Sequence, residues 1–265
     1  MEEDFIACDF FKENDALHCA SLVITPNFTQ SDRGHLEFSK PTEAISNGTI
    51  TFVKCNDKTY GITCWHIIEI YREKEVEHGE YSHSMRTMLN GFYVVQDRFF
   101  RPSADFGQPQ PDIAIRELNP AFLEKIEKEA IDLDSPAVQP EQLKYAIAIG
   151  FPSLMKYRKD EDNGSGYRVS MPHVQIVAEL SNGQSTQRFS LFSQLDEVPD
   201  TLDYSGASGG PIFWSTDEEY GILGIIYESA AGSEIFGDKS VHVSGELATP
   251  STIKQWIHEY HSRIA

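Results

Sequence analysis

Three short segments of this chain carry residues that could do chemistry together. The first is Tyr204-Ser205-Gly206-Ala207-Ser208-Gly209-Gly210-Pro211, a serine flanked by glycines. Such a turn bends tightly, exposes the serine Oγ and aims backbone N–H groups at one point. Acyl transfer needs this combination of a nucleophile and donors for the oxyanion formed on attack. The second, Tyr60-Gly-Ile-Thr-Cys-Trp-His66-Ile-Ile, is a short apolar strand that ends at a histidine, a residue able to move a proton near neutral pH. The third, Pro111-Asp112-Ile-Ala-Ile-Arg116, sets an acid at the mouth of a small apolar strand. Taken singly they read as a loop serine, a core histidine and a turn aspartate. In chain order His66, Asp112 and Ser208 are separated by 46 and 96 residues.

Other motifs are weaker. Gly206-Ala-Ser208-Gly209-Gly210 also satisfies G-x-S-x-G, the nucleophile elbow of α/β hydrolases, which needs a strand before the serine, a helix after it, and the acid and histidine downstream. Thr201–Ser205 is a poor strand, Gly209-Gly210-Pro211 a poor helix start, and only 57 residues follow Ser208, so that reading fails. His258-Glu259-Tyr260-His261 is one residue short of a zinc helix motif, His78 and His83 lie in a charged stretch, and Asn163-Gly-Ser-Gly166 lacks the strand and helix of a phosphate loop. No metal and no cofactor is expected.

The elements that must position these residues are mostly strands. Candidate runs are Ser21–Thr25, Thr49–Cys55, Tyr60–Trp65, Gly91–Gln96 and Ile113–Arg116, then Tyr145–Ile149, Val174–Leu180, Gln187–Phe192, Ile212–Trp214, Gly221–Tyr227 and Val241–Leu247. Many short strands between turn residues predict an all-β sandwich or barrel. Helical periodicity is confined to His66–Val76, Pro120–Ile131 and Ser251–His261, the last with Ser251 as N-cap and Ile253, Trp256, Ile257 and Tyr260 on one face. The stretch Glu117–Gln142 reads as a connection between two strand-rich halves.

The chain has 265 residues and a formal charge of −19. That charge argues against a nucleic-acid partner, since the phosphate backbone needs a basic face. The longest apolar runs, such as Ile222–Tyr227, fall far short of the roughly 20 residues of a membrane helix. The N-terminus carries acids where a signal peptide carries bases, and Cys8, Cys19, Cys55 and Cys64 are too few for a disulfide scaffold. A cytoplasmic protein with reduced cysteines is the expectation.

Together the three segments resemble the trypsin/chymotrypsin-like serine proteases, whose hallmarks are an Ala-Ala-His-like strand end, Asp-Ile-Ala-Leu and Gly-Asp-Ser-Gly-Gly-Pro. In that class the His, Asp and Ser follow in the same order at separations of roughly 45 and roughly 93 residues. Ala146-Ile-Ala-Ile-Gly150-Phe-Pro152 resembles the Gly-Tyr-Pro strand of the second barrel, Gly221–Tyr227 the strand lining the specificity pocket, and Pro250–Ile257 the C-terminal helix. The resemblance implies two six-stranded antiparallel β-barrels with a C-terminal helix: an N-terminal extension (1–19), a first barrel (20–116), a connection (117–142), a second barrel (143–250) and the helix (251–265). It implies that Ser208 attacks the scissile carbonyl, His66 acts as general base and then acid, Asp112 orients the imidazole, and the Gly206 and Ser208 N–H groups form the oxyanion hole.

The sequence departs from the family in two places. Ala207 stands where secreted relatives carry the Asp that pairs with a freshly cleaved N-terminus, and Ile67 replaces the Cys that usually follows the histidine. Both fit a bacterial-type intracellular member, with stress or antiviral signalling as an analogy. The pocket base falls on Leu202, or on Asp203 with a one-residue shift, and Ser205, Tyr227–Ser229 (with Glu228) and Ser244–Glu246 (with Gly245) are the other expected walls. Phe189–Asp238 holds ten acids and no Lys or Arg, which tilts the expectation towards Arg or Lys at P1. An active cytosolic protease must be restrained, so a regulatory partner or activator is expected, with Glu73–Gln110 and the acidic first 19 residues as candidate elements. The alternative is a catalytically silent pseudoprotease that binds peptides or proteins.

Overall fold

The computed structural model describes residues 16–27, 29–30, 36–37, 46–88, 92–104, 107–134, 143–155, 157–160, 167–181, 187–198, 204–233 and 237–264. Leu202 and Asp203, most of the 1–19 extension, Cys8, Asn163 and the connection from 135 to 142 lie outside these residues.

The strands of the first half are β1 (Cys19–Pro26), β2 (Thr29–Gln30), β3 (Leu36–Glu37), β4 (Asn47–Cys55), β5 (Lys58–Thr63), β6 (His83–Met88), β7 (Phe92–Val95), β8 (Ala114–Leu118) and β9 (Ile131–Asp132). Six of them form one antiparallel path in the order β7-β6-β1-β4-β5-β8, and β9 adds to β4 in parallel. The β4–β5 hairpin turns on Asn56 and Asp57, both at positive φ (48° and 62°), the backbone a two-residue hairpin turn of matching twist requires. Beyond β7 the chain returns to β8 at a single bridge, Phe100 with Ile115, which brings the two ends of the sheet together. The inward residues Leu22, Ile50, Phe52, Tyr60, Ile62 and Ile115 are fully buried.

The second half contains β10 (Tyr145–Gly150), the small hairpin β11 (Tyr157–Asp160) and β12 (Tyr167–Ser170), β13 (Val174–Leu180), β14 (Arg188–Gln194), β15 (Pro211–Ser215), β16 (Tyr220–Ser233) and β17 (Gly237–Leu247). Here β10-β13-β14-β17-β16-β15 close into a barrel around Ala148, Leu191, Ile212, Trp214, Leu223 and Val243. The architecture is therefore all-β, of the chymotrypsin-like two-barrel kind.

Among the described residues three α-helices accompany the strands: α1 (Trp65–His78), α2 (Pro120–Lys125) and α3 (Pro250–Ile264). In α3 the expected face is the buried one: Ile253, Trp256, Ile257 and Tyr260 join the first barrel's core, with the Tyr260 ring edge-on to Tyr60 at 6.4 Å. Its cap is Thr249, whose Oγ1 accepts from the Thr252 N–H at 3.4 Å, so the expected cap Ser251 sits inside the first turn. Helix α2 is half its expected length. Asn119 caps it, but Glu127 takes positive φ (53°), the chain leaves helix and Ile131 pairs with Val53 of β4. Among the described residues, no helix is long and apolar enough to cross a membrane.

Candidate active site

His66 is the second residue of α1, where a helix has N–H groups with no partner inside it. Asp112, just ahead of β8, fills that gap. Its Oδ1 accepts the His66 backbone N–H at 2.9 Å, and its Oδ2 accepts the imidazole Nδ1–H at 2.6 Å. One carboxylate thus caps the helix, fixes the ring's orientation and leaves Nε2 as the acceptor. The carboxyl is largely buried, which pushes its pKa up. Hydrogen bonds and charge from His66 outweigh that effect and hold it below the ordinary carboxylate value, with a further pull from Arg101.

Two successive tight turns lead into and around Ser208, Ala207 N–H to Tyr204 O (3.0 Å) and Gly210 N–H to Ala207 O (2.9 Å), the second containing the serine. Gly206 and Gly209 both have positive φ (101° and 90°), which an L side chain rarely adopts, and a Cβ on Gly209 would run into the Thr49 carbonyl. Gly209 N–H donates to Ile226 O at 2.7 Å, and the Cys64 thiol donates to the same oxygen at 3.0 Å. The Ser208 turn and the approach to His66 are therefore pinned to one carbonyl.

The first barrel grips this turn through alternate residues of β4, which point the same way from a strand. Thr49 Oγ1 donates to Gly206 O at 2.9 Å and accepts from Phe151 N–H at 3.2 Å, Thr51 Oγ1 donates to Gly209 O at 2.8 Å, and Asn47 Nδ2 donates to Phe151 O at 2.9 Å. Thr49 N–H also holds the Ser208 carbonyl at 2.7 Å. Ser153 donates its N–H to Ser205 O at 2.6 Å, which sets the plane of the Ser205–Gly206 peptide and turns the Gly206 N–H the opposite way. Among the described residues neither the Gly206 nor the Ser208 N–H has an acceptor in the protein. Two buried, unpartnered donors beside a serine form a site for an anion. The Ser208 hydroxyl itself donates to Tyr227 O at 3.0 Å.

Of the expected pocket residues, Tyr227 and Ser229 are half-buried, Glu228 and Ser205 are exposed, and Ser229 Oγ donates to Tyr204 O at 3.3 Å. Gly245 lies opposite Ile226 in the register, where a side chain would meet Phe189 and Ile212 of the barrel interior. Glu246 is 2% exposed and paired with Arg188, so it is not a pocket wall open to substrate. Arg188 lies one residue before the base-free stretch, and its guanidinium stacks on the Tyr227 ring at 4.4 Å. Residue counts along the chain missed this cation because β14 and β17 bring it back beside Tyr227. Nothing in the sequence marked Asn47 or Thr49 for this role: Thr49 opens an expected strand and Asn47 lies two residues before it.

Ile67, the residue after His66, packs against Gly48, at which a Cβ would lie 2.9 Å from the Ile67 Cγ1. Ligand atoms of Cys64, His66 and Asp112 all lie within 4.8 Å of one another. These atoms are already engaged: burial raises the Cys64 thiol pKa well above its usual value and its S–H donates to Ile226 O, while the 2.6 Å between Nδ1 and Oδ2 leaves no room for an ion.

No protein-family model matches the chain, and no curated protein matches it. Among solved structures, a thermostable serine protease, AL20, from an extremophilic microorganism is 12% identical, with 93% of this chain and 98% of that one covered at a TM-score of 0.47. The protease Anisep from Arthrobacter nicotinovorans is 11% identical over 92% and 95% (TM-score 0.44), and a serine protease of human pathogenic astrovirus 14% identical over 88% and 91% (TM-score 0.41). At these values no activity passes from them to this chain.

Proposed function

We propose that this chain is a serine endopeptidase working through an acyl-enzyme. Ser208 Oγ attacks the scissile carbonyl as His66 Nε2 removes its proton, and the Gly206 and Ser208 N–H groups take the developing oxyanion. The imidazolium returns the proton to the leaving amine, and water repeats the sequence to release the acid. Asp112 keeps the imidazole in the tautomer this requires. The observation that carries the reading is the pair of unpartnered N–H groups beside Ser208, on the same carbonyl anchor as the segment leading to the Asp112-bound histidine.

Restraint of the activity has its own support. The Ser208 hydroxyl donates to Tyr227 O, so that bond must break before the hydroxyl can give its proton to His66, and a substrate or regulatory partner that claims Tyr227 O would release it. Arg or Lys at P1 is the specificity we propose, supported by exposed Glu228 and by the acidic, base-free sequence Phe189–Asp238; the charge of Arg188, one residue before it, is compensated by Glu246. Buried Cys55 and Cys64, both free thiols, support a reducing, cytoplasmic location.

The test is a P1-scanning peptide library with wild type and Ser208→Ala. Cleavage after Arg or Lys by wild type alone is expected. Equal cleavage by both proteins would remove the enzyme reading, and preference for Leu or Phe would remove the P1 assignment.

A further inference from the structure

Behind the catalytic pair lies a buried charge that the mechanism above does not use. Glu246, on β17 of the closed barrel, is 2% exposed, and its Oε1 collects three donors from both halves of the molecule. Arg188 Nε and Nη2 donate to it at 2.9 and 2.7 Å from the facing position on β14, and the backbone N–H of Asp112 donates at 3.2 Å from the other sheet. The groups gathered there are Cys64, His66, Arg101, Asp112, Arg188, Glu246 and Tyr227.

Two features make this more than a buried ion pair. A carboxylate out of water needs its lone pairs filled, and Glu246 fills one by holding the main chain of the residue that orients His66. The Asp112 side chain is in turn committed twice to His66, at 2.9 and 2.6 Å, so displacement of its backbone displaces the imidazole. Arg188 closes the arrangement on the other side, since its guanidinium lies over the ring of Tyr227, whose carbonyl holds the Ser208 hydroxyl.

We propose that Glu246, fixed by Arg188, is a positioning residue for the catalytic group: a strut from the closed barrel that sets where Asp112 holds His66. This rests on the reading of His66, Asp112 and Ser208 as catalytic. The reach of the side chain matters here more than its charge, because the function is to accept the Asp112 N–H.

Three variants separate reach from charge: Glu246→Gln keeps the length and an acceptor oxygen, Glu246→Asp keeps the charge but withdraws it by one methylene, and Glu246→Ala removes both. Two readouts are taken on each folded variant. One is the downfield proton resonance of His66 Nδ1–H by NMR, which reports the bond to Asp112 without requiring turnover. The other is the rate of Ser208 modification by a fluorophosphonate. We expect the Asp and Ala variants to move or broaden the His66 proton and to slow modification between about tenfold and about a hundredfold, as sub-ångström to ångström misplacement of a catalytic group does. The Gln variant should recover most of both. If Ala does not fold, the contrast between Asp and Gln still decides. A wild-type His66 proton and rate in a folded Asp or Ala variant overturns the proposal. If wild type never reacts with the probe but its His66 proton responds to the Asp variant, the strut stands and the protease reading falls.

Discussion

Thr49→Val is the sharpest perturbation of the turn that carries Ser208, the proposed nucleophile. The two side chains have nearly the same shape, so packing is kept and what disappears is one hydroxyl at a fully buried position. That hydroxyl donates to Gly206 O at 2.9 Å and accepts from Phe151 N–H at 3.2 Å. Without it both backbone groups are left in an apolar interior, at about 1–3 kcal/mol each. Partial relaxation makes about 3 kcal/mol a reasonable expectation for the loss in unfolding free energy. The effect on chemistry should be smaller than removal of an oxyanion donor, which costs about 10²–10³ in rate. Gly206 N–H is still aimed by the Ser153–Ser205 bond, and only the far side of its residue is released. A fluorophosphonate rate reduced about tenfold follows. Denaturant melts and probe kinetics measure the two quantities on the same samples. Thr49→Ser, which keeps the hydroxyl, should stay near wild type in rate. If Thr49→Val matches wild type in both stability and rate, or Thr49→Ser is as slow as Thr49→Val, the claim that β4 holds the oxyanion turn is wrong.

Other expectations concern single residues. Asp112→Asn should cut probe reactivity by about four powers of ten, because an amide can leave the imidazole in the wrong tautomer; a loss under tenfold contradicts the role given to Asp112. Gly209→Ala should fail to fold or lose several kcal/mol in a chemical melt, since its φ is 90° and its Cβ would meet the Thr49 carbonyl; a soluble variant with wild-type stability contradicts the turn geometry. His18 is buried between Glu129 O (3.1 Å) and the Tyr220 hydroxyl (2.8 Å), and burial lowers its pKa below 6.5. The unfolded chain then binds the proton more readily than the folded one. Its contribution is complete above about pH 6.5 and is lost as the pH falls through the folded value, so thermal stability should drop between pH 7 and pH 5 more steeply in wild type than in His18→Gln.

Much of this was legible before the fold was known, and the reasons are local. Strands and turns write themselves in adjacent residues: Val174–Leu180 alternates, Asn56-Asp57 suits a hairpin turn, and Ile253, Trp256, Ile257 and Tyr260 recur at helical spacing. Elements lacking such patterns were missed. His83–Met88 is polar, with no clean alternation, yet it becomes strand β6 because β1 offers it a register from Leu22 to Pro26. Pro120–Ile131 has helical spacing throughout, but pairing with β4 takes its end into strand. At the site the same divide holds. His66, Asp112 and Ser208 stand in recognisable segments. Arg188 and Glu246 are 58 residues apart and meet only through the pairing of β14 with β17, so the acidic stretch that excluded Arg188 by one position gave an incomplete account of the charge around Tyr227.

The central claim is that Ser208 is a nucleophile activated by His66. Intact-mass spectrometry after incubation with a fluorophosphonate tests it most directly, using wild type, Ser208→Ala and His66→Ala. The account predicts one stoichiometric adduct in wild type, mapped to Ser208 by peptide sequencing, none in Ser208→Ala, and modification slowed by several powers of ten in His66→Ala. An unmodified wild type, or an adduct that persists in Ser208→Ala, contradicts it.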